Sequence, residues 1–316
     1  MSAPLDFLKI FAGQIRSAGI RFAITSGMAC VHYGLQQTTK DSDWIIAPED
    51  MGKLRELLSC LEQASPAWRI SYRSICGAPL DLEYIAMGWT SHLSVWDGPA
   101  SPEHKVDIFG KPPRVRADDL AVDAEGWATR HVVAQMKRTD RPKDWPIVHG
   151  LGRQLGERGR PEALLHLQEY QALISTGTAT DPATRARLAL RRPLLRVFES
   201  PSPPVVDEVE RLLLIERLIW ECVNAQRHGQ YTRAWKEFFR SWRKEDGWIW
   251  PTQKPFLAQH QQLLSAARAH RLQPNPLASL PRHELLLAAL TKVANLTAAT
   301  QSELDQVCPP LDELLP

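Results

Sequence analysis

Apolar residues recur along this chain with two periods, and the place where one gives way to the other divides it. From Asp6 to Ala18 the apolar positions Phe7, Leu8, Phe11 and Ile15 share one helical face. "RFAITSG" then predicts a strand closed by Gly27, and "MACVHYGL" a short helix leading to a second strand that carries Asp41 and Asp43 and ends in Trp44, Ile45 and Ile46. A further helix is expected from about Pro48 to Gln63, with Leu54, Leu57, Leu58 and Leu61 on its inner side. Extended segments are expected at "RISYRSI", "LDLEYIAM", "HLSVWD" and "KVDIFG", separated by Gly and Pro.

After "GWATRHVVAQMKRTDRPKDWPIVHGLG" the strand signals stop. "PEALLHLQEYQALIS", "PPVVDEVERLLLIERLIWECVNAQR", "TRAWKEFFRSWRKE", "FLAQHQQLLSAARAH" and "HELLLAALTKVANL" all carry helical spacing. Proline-containing breaks near Ser200 to Pro204 and Gln273 to Pro276 separate them, because the ring removes the helical donor. The pattern predicts an α+β fold: a domain over residues 1–155 with a mixed sheet and flanking helices, then an all-α domain over residues 156–316. There is no internal repeat and no low-complexity tract.

A length of 316 residues supports the two-domain division. Lys and Arg total 38 against 36 acidic residues, a net charge of +2, so any affinity for nucleic acid must come from a local patch. The cysteines (Cys30, Cys60, Cys76, Cys222 and Cys308) are odd in number and scattered, without the pairing of a zinc site or a disulfide framework, and fit a reducing cytosol. The N-terminus lacks a basic region followed by an apolar run, and no apolar stretch is long enough to span a bilayer. A soluble, cytoplasmic protein without a membrane partner is expected.

The chemistry concentrates in "FAITSGMACVHYGLQQTTKDSDWII". Asp41 and Asp43 sit one residue apart on a strand, so both carboxylates point to one side. Like charges so placed call for a cation between them. Before them, a small-residue turn at Ser26 and Gly27 joins strand to helix, where backbone N–H groups can meet a phosphate. Carboxylate oxygens hold magnesium, and magnesium bridges nucleotide phosphates. A third carboxylate from a neighbouring strand would complete a two-metal site.

The order strand, small turn, short helix, acid-x-acid resembles the nucleotidyltransferase superfamily with the DNA polymerase β-like fold, in particular its bacterial branch of AbiEii-type and MenT-type toxin transferases. The resemblance covers roughly the first half of the chain. It implies Asp41 and Asp43 as the metal pair, with Ser26 and Gly27 cradling phosphates. Asp107, flanked by apolar residues in "KVDIFG", has the setting of the third carboxylate, while Asp81 and Glu83 in "LDLEYIA" also alternate on a possible strand. In "VVAQMKRTDRPKDWPIV" the family's Lys, then Arg and Lys-Asp, fall on Lys137, Arg141, Lys143 and Asp144. By resemblance Lys137 would reach a nucleotide phosphate and Arg141 to Asp144 would brace the site or touch substrate. Two positions depart from the pattern: Ser26 stands where the first glycine of the turn is usual, and Gln37 where an Arg often precedes the acid pair.

The resemblance implies two Mg2+ ions, an NTP as substrate, and an acceptor such as the 3′ end of a tRNA, with a cognate antitoxin or a phage-defence complex as protein partner. A fold retained for binding without the reaction, and adenylylation of a small molecule such as an antibiotic, are the other readings. "QRHGQYTRAWKEFFRSWRKEDGWIW" interleaves Arg233, Arg240 and Arg243 with aromatic residues, as a single-stranded RNA surface requires. Trp235, Phe238, Phe239 and Trp242 nevertheless follow the spacing of a core face. His32 and His131 lie in helices among apolar neighbours and are read as packed or partly exposed, not as bases.

Overall fold

A computed structural model of the protein describes residues 3–200, 202, 204–278 and 280–316. Met1 and Ser2 of the N-terminal segment, and Pro201 and Pro203 of the first proline break, lie outside the described residues. The chain begins α1 (Ala3–Ser17), β1 (Phe22–Thr25), α2 (Ser26–His32), β2 (Asp41–Ile46), α3 (Met51–Ala64), β3 (Arg69–Tyr72), α4 (Leu82–Ile85), β4 (Thr90–Trp96) and β5 (His104–Phe109). It continues α5 (Arg130–Met136), α6 (Trp145–Gly156), α7 (Tyr170–Ala179), α8 (Pro182–Ala189), α9 (Val206–Trp242), α10 (Phe256–Ala269), α11 (Arg282–Thr297), α12 (Gln301–Val307) and α13 (Leu311–Leu314). No helix among the described residues is long and apolar enough to cross a membrane.

The mixed α and β character follows the hydrophobic pattern, with strands confined to the first part of the chain. "LDLEYIAM" differs from expectation. It turns into α4 because Asp81 caps it, accepting from the Glu83 N–H at 3.1 Å, and is itself held by Arg55 at 3.3 Å. Two segments expected as separate helices run together as the 37-residue α9. Gly229 costs helix stability there, but the buried stripe of Tyr231, Ala234, Phe238 and Trp242 continues past it.

The compact units are drawn differently from the single boundary expected near residue 155. One comprises residues 1–112, 122–128 and 229–277; the other comprises 113–121, 129–228 and 278–316. The late helices are therefore shared, with α10 belonging to the sheet unit.

In the sheet unit the strand order is β1-β2-β5-β4-β3, with β2 and β5 parallel and the other pairs antiparallel. Alternation sorts the side chains. Trp44, Ile46, Val106, Ile108, Leu93, Val95, Ile70 and Tyr72 share one face and are buried. Phe7, Phe11 and Ile15 of α1 are buried with them, Phe11 meeting Trp44 edge-on at 5.2 Å. Each such side chain contributes about 1.5–3 kcal/mol on burial. A slip of one residue would turn the whole set outward, so the register is fixed.

Among the described residues no strand pairs with the outer edge of β3, and side chains close it. Glu62 accepts from the Ile70 N–H at 2.9 Å. Gln259 accepts from the Tyr72 N–H at 3.1 Å and donates to the Ile70 carbonyl at 2.9 Å, while Trp250 Nε1 donates to the Tyr72 carbonyl at 2.8 Å. All four backbone groups on that edge are thereby satisfied, as burial demands.

The second unit is helical. Its core gathers Trp145, Leu164, Leu194, Ile215, Ile219, Ala289 and Val293 among others. Within it Arg192 is buried and forks onto Glu216 at 2.6 Å, also donating to the Leu164 and Leu167 carbonyls at 2.7 and 2.8 Å.

Candidate active site

The face of the sheet opposite the core carries the polar residues, and the register lines them up in rows. Asp43 lies beside Asp107 across the parallel β2–β5 pair, Asp107 beside His92 across β5–β4, and the Arg73 N–H donates to the His92 carbonyl at 2.9 Å just past the end of β3. The next row is Asp41, Lys105, Ser94 and Ser71. Residues paired in register, or two apart on a strand, project to the same side. Asp41, Asp43 and Asp107 thus share one face.

Two cation-forming groups meet these acids. Arg73 Nη1 donates to Asp107 Oδ1 at 3.2 Å and stands 3.9 Å from Asp41 Oδ1. His92 Nδ1 donates to the same Asp107 oxygen at 2.7 Å. Gly77 makes room for that ring: a Cβ there would fall 2.6 Å from His92 Cδ2 and 2.8 Å from the Thr90 carbonyl. Asp107 is accordingly clamped, its side chain only 15% exposed. Asp41 differs: its side chain is 44% exposed, while its inner oxygen, Oδ1, is buried and accepts no hydrogen bond. Sequence reading missed both Arg73 and His92. The signal was the alternation in "HLSVW", where His92, Ser94 and Trp96 take the face opposite Leu93 and Val95.

The turn before the acids is also informative. Ser26 adopts φ 50°, in the left-handed region that a side chain disfavours and a glycine does not. Gly27 is required for a different reason. A Cβ on it would come within 2.4 Å of Thr39 Oγ1, so the helix start packs directly on the approach to β2.

Asp81 and Glu83, the alternative third carboxylates, are not on the sheet; Glu83 pairs with Arg268 at 3.0 Å. The chain matches no family model, no curated protein and no solved structure.

Lys137, Arg141, Lys143 and Asp144 lie in the helical unit, where Lys137 and Arg141 meet on Asp144. Lys137 follows α5 and is buried, its Nζ 3.5 Å from Asp144 Oδ1. Asp144 Oδ2 accepts from Thr139 at 2.7 Å and from Arg141 Nε at 2.9 Å. Burial alone would raise the Asp144 carboxyl; Lys137, Thr139 and Arg141 outweigh it and hold the group below the usual carboxylate range. Lys143 is exposed. In this arrangement Lys137 is spent on Asp144, an ion pair within its own unit.

Of the aromatic run, Phe238 and Trp242 are buried, as core spacing predicts. Trp235 and Phe239 are only half-buried and stack on each other at 4.5 Å. Arg233, Arg240 and Arg243 are exposed beside them, with Arg243 5.7 Å above the Phe239 ring. His32 is exposed and stacks on Trp127, while His131 bonds His166 at 2.8 Å; both are packing residues.

Magnesium is implied by the resemblance alone, so the donor set has to be judged on its own chemistry. It consists of hard oxygens on one face, and Asp41 Oδ1 is a buried acceptor without a donor, which suits a divalent cation. Among the described residues, however, no three His, Cys, Asp or Glu side chains, these acids included, come together closely enough to hold a metal ion as they stand. The positive charge at Asp41 and Asp107 is supplied by Arg73.

Proposed function

We propose that the protein is a magnesium-dependent nucleotidyltransferase that moves a nucleoside monophosphate from an NTP to an acceptor hydroxyl and releases pyrophosphate. The acceptor oxygen forms its bond to the α-phosphorus as the α–β anhydride bond breaks, and the hydroxyl proton leaves to water. One observation carries the reading: the β2–β5 register sets Asp41, Asp43 and Asp107 on a single polar sheet face.

Asp41, Asp43 and Asp107 would hold magnesium, which when bound supplies charge neutralisation at the triphosphate and acidification of the attacking hydroxyl. The residues of this chain do the rest. His92 positions Asp107 by its hydrogen bond. Arg73 balances the acids before substrate arrives and offers its guanidinium to a phosphate afterwards. Gly27 and the backbone at Ser26 receive phosphate oxygens, a role carried over from the resemblance. An RNA acceptor such as a tRNA 3′ end, and a toxin or phage-defence setting with an antitoxin-like partner in the cytoplasm, come from the same source.

Incubation with α-labelled NTPs, Mg2+ and either small RNA or total protein tests the reaction. Label transfer that disappears in Asp41→Ala and Asp107→Asn is expected; transfer undiminished in both variants overturns the assignment. A second reading is a binding subunit that keeps the fold without the reaction. The Arg73 and His92 clamp on Asp107 favours it, and it predicts partner binding that is indifferent to Asp41→Ala.

A further inference from the structure

The polar sheet face does not stop at the acids. Beyond Arg73 it opens into a cavity of about 830 Å3, within the size range of small-molecule sites. All of its lining belongs to the sheet unit. Trp68, Trp96 and Trp250 contribute indole rings, and Arg69, Arg73 and Lys254 contribute positive charge. The acid in the lining, Glu62, is already committed to the Ile70 and Phe256 N–H groups at 2.9 and 2.7 Å. Ser71 and Ser94, both buried, form the floor.

Two geometric details narrow the ligand. The Arg69 guanidinium carbon sits 3.8 Å above the Trp96 ring, so the pair presents a flat, positively charged surface on which another planar ring can stack. Arg73 faces both ways, lining this cavity while it pairs with Asp107. A ligand whose ring lies on Arg69 can place an anionic group at Arg73, next to the carboxylates. Trp250 continues the aromatic surface outward: its ring is 6.1 Å from Phe239, which stacks on Trp235 beside the exposed Arg240 and Arg243.

We propose that this cavity is a nucleotide-binding site distinct from the Ser26–Gly27 turn, holding a nucleobase against Arg69 and Trp96 and its phosphate at Arg73. Its role as the acceptor site rests on the nucleotidyl-transfer reading, but the binding does not. The ligand chemistry, a base carrying phosphate, is shared by a free mononucleotide and by the terminal residue of an RNA strand.

Tryptophan fluorescence titrations in EDTA separate these cases, using AMP, adenosine, inorganic phosphate and a single-stranded RNA pentamer. AMP is expected to bind at least tenfold more tightly than adenosine or phosphate. Arg69→Ala, at an exposed position that leaves the core intact, should weaken AMP tenfold or more, as should Trp96→Ala. Binding retained in Asp41→Ala keeps the cavity independent of the acids, so loss of transfer in that variant with AMP binding intact tests the two ideas separately. A pentamer that binds tenfold more tightly than AMP, with the gain lost in Arg240→Ala/Arg243→Ala, identifies an RNA end; equal affinities identify the free mononucleotide. AMP no tighter than phosphate, or AMP binding unchanged in Arg69→Ala and Trp96→Ala, overturns the proposal.

Discussion

His260 sets an acid limit on the sheet unit. Its ring is buried, and Nδ1 accepts the Tyr72 hydroxyl proton at 2.9 Å while that hydroxyl accepts from the Leu80 N–H at 3.1 Å. The arrangement works only with Nδ1 unprotonated. Burial first, and the Arg55 charge after it, bring the ring down to about 4. In the unfolded chain a histidine titrates near ~6.5. Between those values the unfolded chain takes up a proton that the folded chain refuses, so the contribution is complete above about pH 6.5 and is lost as pH falls toward about 4. At ~1.4 kcal/mol per pH unit the gap sets a ceiling of about 3 kcal/mol. His260→Gln keeps an acceptor for the Tyr72 hydroxyl and removes the proton site. Urea unfolding at intervals from pH 4.5 to 7.5 should show the wild type losing stability on acidification faster than the variant, by about 1 kcal/mol per pH unit in the lower half of that range. Parallel curves would refute the reasoning, whatever the other histidines contribute to both.

Gln259→Leu leaves the buried Tyr72 N–H and Ile70 carbonyl without partners and should cost about 2–4 kcal/mol in urea unfolding; a loss below about 1 kcal/mol would mean that both groups find other partners. Ser26→Gly should stabilise by about 0.5–1 kcal/mol, because only the left-handed strain is removed, and a destabilised variant would show the hydroxyl to matter more than φ. Gly27→Ala should destabilise by more than about 1 kcal/mol, and adding Thr39→Ala should return part of it as a positive coupling in a double-mutant cycle. Arg192→Met strands the buried Glu216 carboxylate and should cost about 3–5 kcal/mol, read by the same unfolding curves.

Periodicity carried the sheet and most helices, because alternation puts the main core residues of the strands, among them Trp44, Ile46, Leu93, Val95, Val106 and Ile108, on one side. "LDLEYIAM" failed as a strand since alternation over so few residues looks the same whether a pleat or a capped turn makes it, and the Asp81 cap decided the matter. Asp41, Asp43 and the Ser26–Gly27 turn were legible from local order. That Asp107 would stand beside Asp43 was legible only through the resemblance, since parallel register is a long-range fact. Arg73 and His92 were invisible for the same reason. Neither has a motif, and each acquires its role from the strand it pairs with. The division into units escaped the sequence because α10 is sequentially late yet closes the β3 edge, and no local signal says where a helix will dock.

That edge has a consequence during synthesis. Gln259 lies 187 residues after Tyr72, so on a ribosome adding about 5–20 residues per second the Tyr72 N–H and Ile70 carbonyl on the border of β3 stay open for about 10–40 s before their partner emerges. Throughout that interval a nascent chain exposes an unsealed ribbon able to recruit the wrong neighbour. Premature termination anywhere before residue 259 would leave it so for good, and such truncated products should be the ones that aggregate or call on chaperones.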